Sequence, residues 1–179
     1  MAEVLIRPAV SPDYGLLSSF KSSVQTDVVW QMDHAFDQNQ VSITFHEIKL
    51  PRIIRVDYPH SSEGLLERAK TLSIVLVGCI EGAPIGYIGI STIQTESMLW
   101  VKELVIHERW RRKGFGSVLI RAGFDWGMER NIRRMMIDMS SKNFPAINMV
   151  RKIGFEFCGY NDNFYFNNDI ALFFTKYFR

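Results

Sequence analysis

Residues 111–120 read RRKGFGSVLI, with Arg111, Arg112 and Lys113 directly ahead of Gly114 and Gly116. A helix that starts here leaves its first backbone N–H groups without intrahelical partners and points the positive end of its dipole at the preceding loop. The two glycines clear side chains from that backbone, and the three cations surround it with mobile positive charge. This combination predicts a cradle for a phosphate or pyrophosphate. The spacing is not that of two familiar phosphate motifs: GxxxxGK[ST] is absent, and Leu119 stands where GxGxxG needs its third glycine. A solvated charge cluster is the plain alternative for 109–113, and the glycine pair weighs against it.

LVIHERWRRKGFGSVLI resembles the acyl-CoA-binding motif of the GNAT superfamily of acetyl-CoA-dependent N-acyltransferases. That signature is Arg or Gln, two residues, Gly, one residue, then Gly or Ala, and Arg111, Gly114 and Gly116 match it. NFPAINMVRKIGF is similar to the family's next strand–helix unit, with Asn143, Ala146, Gly154 and Phe155 at its spacing. The resemblance covers 73–179 and, over 1–70, only an opening strand and helix. It implies that the CoA pyrophosphate rests on the backbone N–H groups of Arg112, Lys113, Gly114, Phe115, Gly116 and Ser117. The pantetheine arm would pair with the open edge of the strand ending Leu104, Val105, Ile106, and Asn143 would touch the same arm. The side chains of Phe115 and Val118 are expected in the core. Acetyl-CoA is then the acyl donor and an amine the acceptor.

Transfer from a thioester to an amine needs a neutral amine, a stabilised oxyanion and a departing thiol. A lysine-like amine, of pKa about 10.4, is mostly protonated near neutrality, so a base or a desolvating pocket must help. Glu103 is the leading base, directly or through a water; the other reading is a salt-bridged structural carboxylate. His107 and Asp138 are alternatives, and a strand N–H near Val105 or Ile106 is expected at the oxyanion. The family commonly places a tyrosine seven residues beyond the asparagine to protonate the thiolate, and Val150 stands there. A thiol of pKa about 8.5 is a good leaving group, so that loss need not abolish transfer. Tyr160 or Tyr165 could substitute. Residues 21–60 and 160–168 are expected to choose the acceptor; Asp27, Trp30, Asp33, His34 and Asp37 either line an amine pocket or belong to a surface helix.

The elements that position these residues follow from pattern. VLIRPA reads as a strand and Ser11, Pro12 and Asp13 open a helix. Residues 21–40 are expected as helix and loop, VSITFHEIKL as a strand, and 62–70 as a short helix. SIVLVGCI, the turn EGAP and IGYIGISTIQ form a hairpin, with MLWVKELVIH a third strand. Phe115, Val118, Leu119, Ala122 and Trp126 mark the buried face of a helix over 115–129. RRMMIDMS is a strand, Pro145 starts a helix that Gly154 ends, and FEFCGY and DIALFFTKYF close the sheet. The fold class is α/β (α+β), a GNAT-like mixed, mostly antiparallel sheet flanked by helices.

With 179 residues, 47% hydrophobic and 22% charged, one domain spanning 1–179 with a real core is expected. A net charge of +2 argues against a general nucleic-acid or membrane binder. No signal peptide or membrane span is read, and Cys79 and Cys158 are expected as buried free thiols of a cytoplasmic protein. The four histidines lack ligand spacing, so no metal is expected. An acetyltransferase is favoured over a catalytically weak acyl-CoA-binding domain, for which Val150 argues, and over a nucleic-acid module using the arginines at 109–112 and 130–134. A homodimer is a further possibility.

Overall fold

In the computed structural model, which describes residues 4–60 and 64–178, the chain runs β1 (Leu5–Pro8), α1 (Asp13–Leu17), β2 (Val24–Asp37), β3 (Gln40–Val56), α2 (Leu65–Ala69), β4 (Ile74–Ile80), β5 (Ala83–Ile93), β6 (Met98–Ile106), α3 (Phe115–Met128), β7 (Arg134–Ser140), α4 (Phe144–Lys152), β8 (Glu156–Asn161) and β9 (Ala171–Tyr177). Seven strands make one sheet in the order β1-β4-β5-β6-β7-β9-β8, and β2 and β3 form a separate two-stranded ribbon. Among the described residues only β6 and β7 pair in parallel, and the other pairs are antiparallel. This is the mixed, mostly antiparallel sheet expected. The β4–β5 turn at Glu81 and Gly82 has both residues at positive φ, as a tight two-residue hairpin requires.

Each face of the sheet buries its own core. Leu119, Ile120, Ile147 and Val150 of α3 and α4 pack on Ile88, Leu99, Met135 and Phe174. On the other face Leu17, Phe20 and Leu65 cover Val75, Val77, Tyr87 and Val105.

A bulge in β6 decides which residues face which core. Gly89 lies opposite Glu103 and Ile90 opposite Val101, so Lys102 is the extra residue. Leu99 and Val101 belong to the α3/α4 core; beyond the bulge it is Leu104 and Ile106 that pack there, while Val105 turns to the opposite core. Glu103 turns with it and meets Tyr87. At the same point β6 parts from β7, whose pairing ends at Val101 opposite Ile137. Residues 102–106 therefore keep one edge without a strand partner among the described residues.

Several expectations need correction. Residues 24–37, expected as helix and loop, are strand β2. The ribbon is solvated on both sides over most of its length, so Asp33, His34 and Asp37 interrupt the alternation a half-buried strand shows. The helix expected over 62–70 is the shorter α2, with 61–63 outside the described residues. The fully buried face of α3 is Gly116, Leu119, Ile120, Gly123 and Gly127; of the apolar set read from spacing Leu119 lies in it and Ala122 and Trp126 pack partly buried beside it, while Val118 is 40% exposed. Glycines carry no hydrophobic signal, yet their stripe lets the sheet approach: a Cβ at Gly123 would stand 2.6 Å from Ile90 Cδ1. Cys79 is buried but Cys158 is exposed, on β8 at the end of the sheet.

Candidate functional site

The loop between β6 and α3 is shaped by local bonds. His107 Nδ1 accepts from the Arg109 N–H at 3.2 Å and caps a 3-10 turn at 108–110. In this structure the His107 side chain thus serves as a cap, and it does not line the cavity described below. Arg112 (φ 64°) and Gly114 (φ 87°) both adopt left-handed backbone before α3 begins at Phe115. Arg112 and Lys113 are exposed, and the Lys113 ammonium lies 4.8 Å from the Trp110 ring centroid. Among the described residues neither forms a salt bridge, so both leave their charge available at the helix N-terminus.

Arg111 is not the mobile charge expected. Its Nε donates to the Ile106 carbonyl at 2.9 Å, Nη1 to the Ser23 carbonyl at 2.7 Å, and Nη2 to the Lys21 carbonyl. Burial lowers its pKa from the usual guanidinium value. The first residue of the sequence motif is therefore a staple joining the end of β6 to residues 21–23. The two glycines also divide the work differently from the expectation. A Cβ at Gly114 would meet nothing within 4 Å, so glycine serves its φ there and leaves open space for an anion. A Cβ at Gly116 would lie 2.7 Å from Met149 Sδ, so that glycine serves the contact between α3 and α4.

On the free edge of β6 the Leu104 N–H donates to the Tyr58 hydroxyl at 3.0 Å. Next to it a cavity of about 460 Å³ is lined by Arg68, Lys102, Glu103, Asp138, Phe164 and Tyr165, among others. Glu103 is 2% exposed, receives Arg68 Nε at 2.6 Å and the Tyr87 hydroxyl at 3.0 Å. Asp138 receives Trp100 Nε1 and the Tyr165 hydroxyl, each at 2.7 Å. Burial pushes the Tyr58, Tyr87 and Tyr165 phenols well above their ordinary pKa, and the carboxylates of Glu103 (for the first two) and Asp138 (for Tyr165) push further the same way. All three are neutral phenols: Tyr87 and Tyr165 donate to carboxylates, and Tyr58 accepts from the Leu104 N–H. Two fixed carboxylates thus share a cavity at the mouth of an open strand edge.

The remaining predicted residues fall elsewhere. Asn143 is the N-cap of α4, its Oδ1 accepting from the Ala146 N–H at 3.3 Å. Val150 is fully buried in the α3/α4 core, so its identity concerns packing. Tyr160 packs its ring on Phe45. Asp27, Trp30, Asp33, His34 and Asp37 lie on β2 rather than a surface helix and do not line the cavity. Trp30 packs on the α3/α4 core beneath the Arg151 guanidinium, and Asp33 pairs with His46 at 3.3 Å. A second, polar cavity of about 480 Å³ lies near the other end of α3, at Trp126 and Arg130, remote from the glycine loop. Sequence reasoning missed Tyr58, Arg68, Tyr87, Trp100 and Lys102. The first four meet the site through long-range contacts that leave no local spacing, whereas Lys102 adjoins Glu103, and that charged pair inside an apolar strand is the one local signal. Among the described residues no group of three or more His, Cys, Asp or Glu is placed to hold a metal ion, and no helix is long and apolar enough to cross a membrane.

Residues 33–155 match the family model "Acetyltransferase (GNAT) family". The chain is 26% identical over 167 residues to streptothricin acetyltransferase of Streptomyces lavendulae, covering 89% of this chain and 85% of that one. Among solved structures, nourseothricin acetyltransferase superposes with a TM-score of 0.84 at 20% identity, over 97% of this chain and 98% of its own. A Bacillus anthracis str. Ames structure in complex with acetyl coenzyme A superposes with a TM-score of 0.77 at 17% identity, over 98% and 100% of the two chains. The parted β6 and β7, the glycine loop opening α3 and the match over more than half its length agree: the chain belongs to the GNAT acetyltransferase family and transfers an acetyl group from acetyl-CoA to an amine.

Proposed function

We propose that acetyl-CoA lies along the free edge of β6 and that the amine, a small cationic molecule, enters from the cavity holding Glu103 and Asp138. The observation that carries this reading is the edge itself: residues 102–106 leave β7 beside the cavity and lead to the N-terminus of α3, where Gly114 leaves open space. The residues there fit the group. The N–H groups of Arg112 to Ser117 would receive the pyrophosphate, with the Arg112 and Lys113 cations around it. Leu104, Val105 and Ile106 would offer backbone to the pantetheine arm, and Asn143 its side-chain amide. Bound acetyl-CoA supplies a thioester carbonyl open to attack by the amine.

Glu103 is the proposed proton acceptor for that amine, through a water or the Tyr87 hydroxyl that it binds. The Leu104 N–H is the backbone donor best placed for the oxyanion, displacing the Tyr58 hydroxyl it now meets. The carboxylate of Asp138, faced by Tyr165 and with Phe164 on the cavity wall, suits a second positive charge on the acceptor. Similarity to streptothricin acetyltransferase supports a streptothricin-like amine as that acceptor, and the two carboxylates of the cavity favour a polycationic one. We place the whole of 1–179 in one domain, and the reaction in the cytoplasm.

The test is thermal unfolding with and without acetyl-CoA, then release of free CoA thiol with streptothricin, simple diamines and peptide N-termini. Acetyl-CoA at 100 times its dissociation constant should raise stability by about 2.7 kcal/mol, or roughly 5–11 °C for a chain of this size. Gly114→Asp should abolish the shift and Glu103→Gln should lower kcat while sparing it. A folded protein with no shift at millimolar acetyl-CoA refutes the placement of the cosubstrate. Turnover of peptide N-termini alone refutes the polycationic acceptor.

A further inference from the structure

Lys102 is the extra residue of the β6 bulge, at the point where β6 leaves β7, and its side chain lines the same cavity as Glu103 and Asp138. Arg68, the neighbouring cation, is joined to Glu103. Lys102 makes no ion pair within 4 Å among the described residues; its Nζ lies 3.2 Å from the centroid of the Trp100 ring. That indole is held in place because its Nε1 donates to Asp138. An amine is therefore already seated in the cavity where the acceptor amine is expected, beside a carboxylate able to take a proton. Burial lowers its pKa from the ordinary lysine value, against the opposing pull of Asp138, so the reactive neutral form is more populated than on an exposed lysine. Its four-carbon stem lets Nζ swing from the indole face toward the strand edge.

We propose that Lys102 is an acetylation site of this enzyme, modified by its own acetyl-CoA when no acceptor fills the cavity. The inference rests on the placement of acetyl-CoA along β6 given above. The neutral Nζ attacks the thioester carbonyl; the C–N bond forms and the C–S bond breaks. The proton lost by nitrogen passes to Asp138 and then to solvent, and sulfur leaves as CoA thiolate, which is protonated in water. Nothing is oxidised or reduced. The product amide carries no charge, so it gives up the contact with Trp100 and the attraction to Asp138 and occupies part of the cavity. Acetylation would thereby tune or close the acceptor site in the absence of substrate.

The experiment is incubation of the full chain with acetyl-CoA and no amine, followed by site-resolved mass spectrometry over time. Lys21 and Lys70, both exposed, report uncatalysed acetylation in the same sample. A held amine should react at least about a hundredfold faster than these, given the advantage of intramolecular reaction. The rate constant should not depend on protein concentration, and excess CoA, Gly114→Asp or a good acceptor amine should bring it down to that of Lys21. Modification of Lys102 at the rate of Lys21 and Lys70, or at a rate proportional to protein concentration, overturns the proposal. If the same preparation shows the acetyl-CoA thermal shift and turns over an amine, only the self-acetylation falls. If it shows neither, the placement of acetyl-CoA falls with it.

Discussion

Replacing Gly116 by Ala and Met149 by Ala, singly and together, separates the tasks of the two glycines in the loop motif. At Gly116 the new Cβ would lie 2.7 Å from Met149 Sδ, while its next neighbour outside that side chain, Ile106 Cγ1, is at an ordinary 4.0 Å. Met149 Sδ sits far out on a flexible side chain that can yield, so overpacking here costs about 1–2 kcal/mol, the low end of the usual range, and after an offset of up to about 1 kcal/mol from the better helix propensity of alanine Gly116→Ala should destabilise by at most about 1 kcal/mol. Met149→Ala, at a partly buried site, should cost about 1–2 kcal/mol. Once the sulfur is gone the clash is gone, so Gly116→Ala in that background should be neutral or stabilising, giving a coupling of about 1–2 kcal/mol. Gly114→Ala behaves otherwise: its left-handed backbone costs about 1–2 kcal/mol whatever stands at position 149. Urea unfolding gives the four stabilities, and calorimetric titration with acetyl-CoA follows the site. Affinity should fall in Gly116→Ala, as the first turn of α3 is pushed from α4, and recover in the double variant relative to Met149→Ala. If Gly116→Ala has the same effect in both backgrounds within about 0.5 kcal/mol, the close approach of α3 and α4 is not why that glycine is needed.

Arg111→Ala should remove the staple between Ile106 and residues 21–23, lowering stability by about 2–3 kcal/mol and weakening acetyl-CoA binding together; weaker binding at unchanged stability would return Arg111 to the role of a free phosphate-binding charge. Asp13 is held below the usual carboxylate pKa by the forked Arg7 guanidinium at 2.7 and 2.8 Å, and further by the Val10 N–H. Because its folded pKa is depressed, its stabilisation is present above the unfolded value near about 3.9 and is lost as pH falls below it. Asp13→Asn should therefore destabilise at pH 7 and flatten the acid limb of the stability curve, measured by urea unfolding across pH. Cys158 should react with a maleimide in the folded protein and Cys79 only on unfolding; partial burial pushes the Cys158 thiol pKa up, so its labelling should accelerate with rising pH.

The chemistry-bearing loop was legible in the sequence because its signals are local. A basic run, two glycines at fixed spacing and an amphipathic helix are neighbours along the chain, and helix termini and backbone conformation depend on neighbours. Strands β4 to β7 and helix α4, with Pro145 at its start and Gly154 after its end, were legible for the same reason. Of the ribbon, β3 was legible over 41–50 from its alternation, but β2 was not, because Asp33, His34 and Asp37 interrupt the pattern in a strand solvated on both sides, and most of the buried stripe of α3 was missed because glycine packs without registering as apolar.

What only the tertiary structure decided is the assignment of roles within the motifs. Arg111 belongs to the motif by sequence, yet carbonyls 88 and 90 residues away in the chain make it a staple. Glu103 and Asp138 were nameable as candidates, but the bulge at Lys102 sets the face on which Glu103 lies, and Arg68, Tyr87, Trp100 and Tyr165 hold the two carboxylates by contacts 16 to 38 residues apart. Residue type and spacing determine which bonds a segment can offer. Which bonds form depends on where distant segments are brought by burying two cores on one sheet, and no local pattern carries that information.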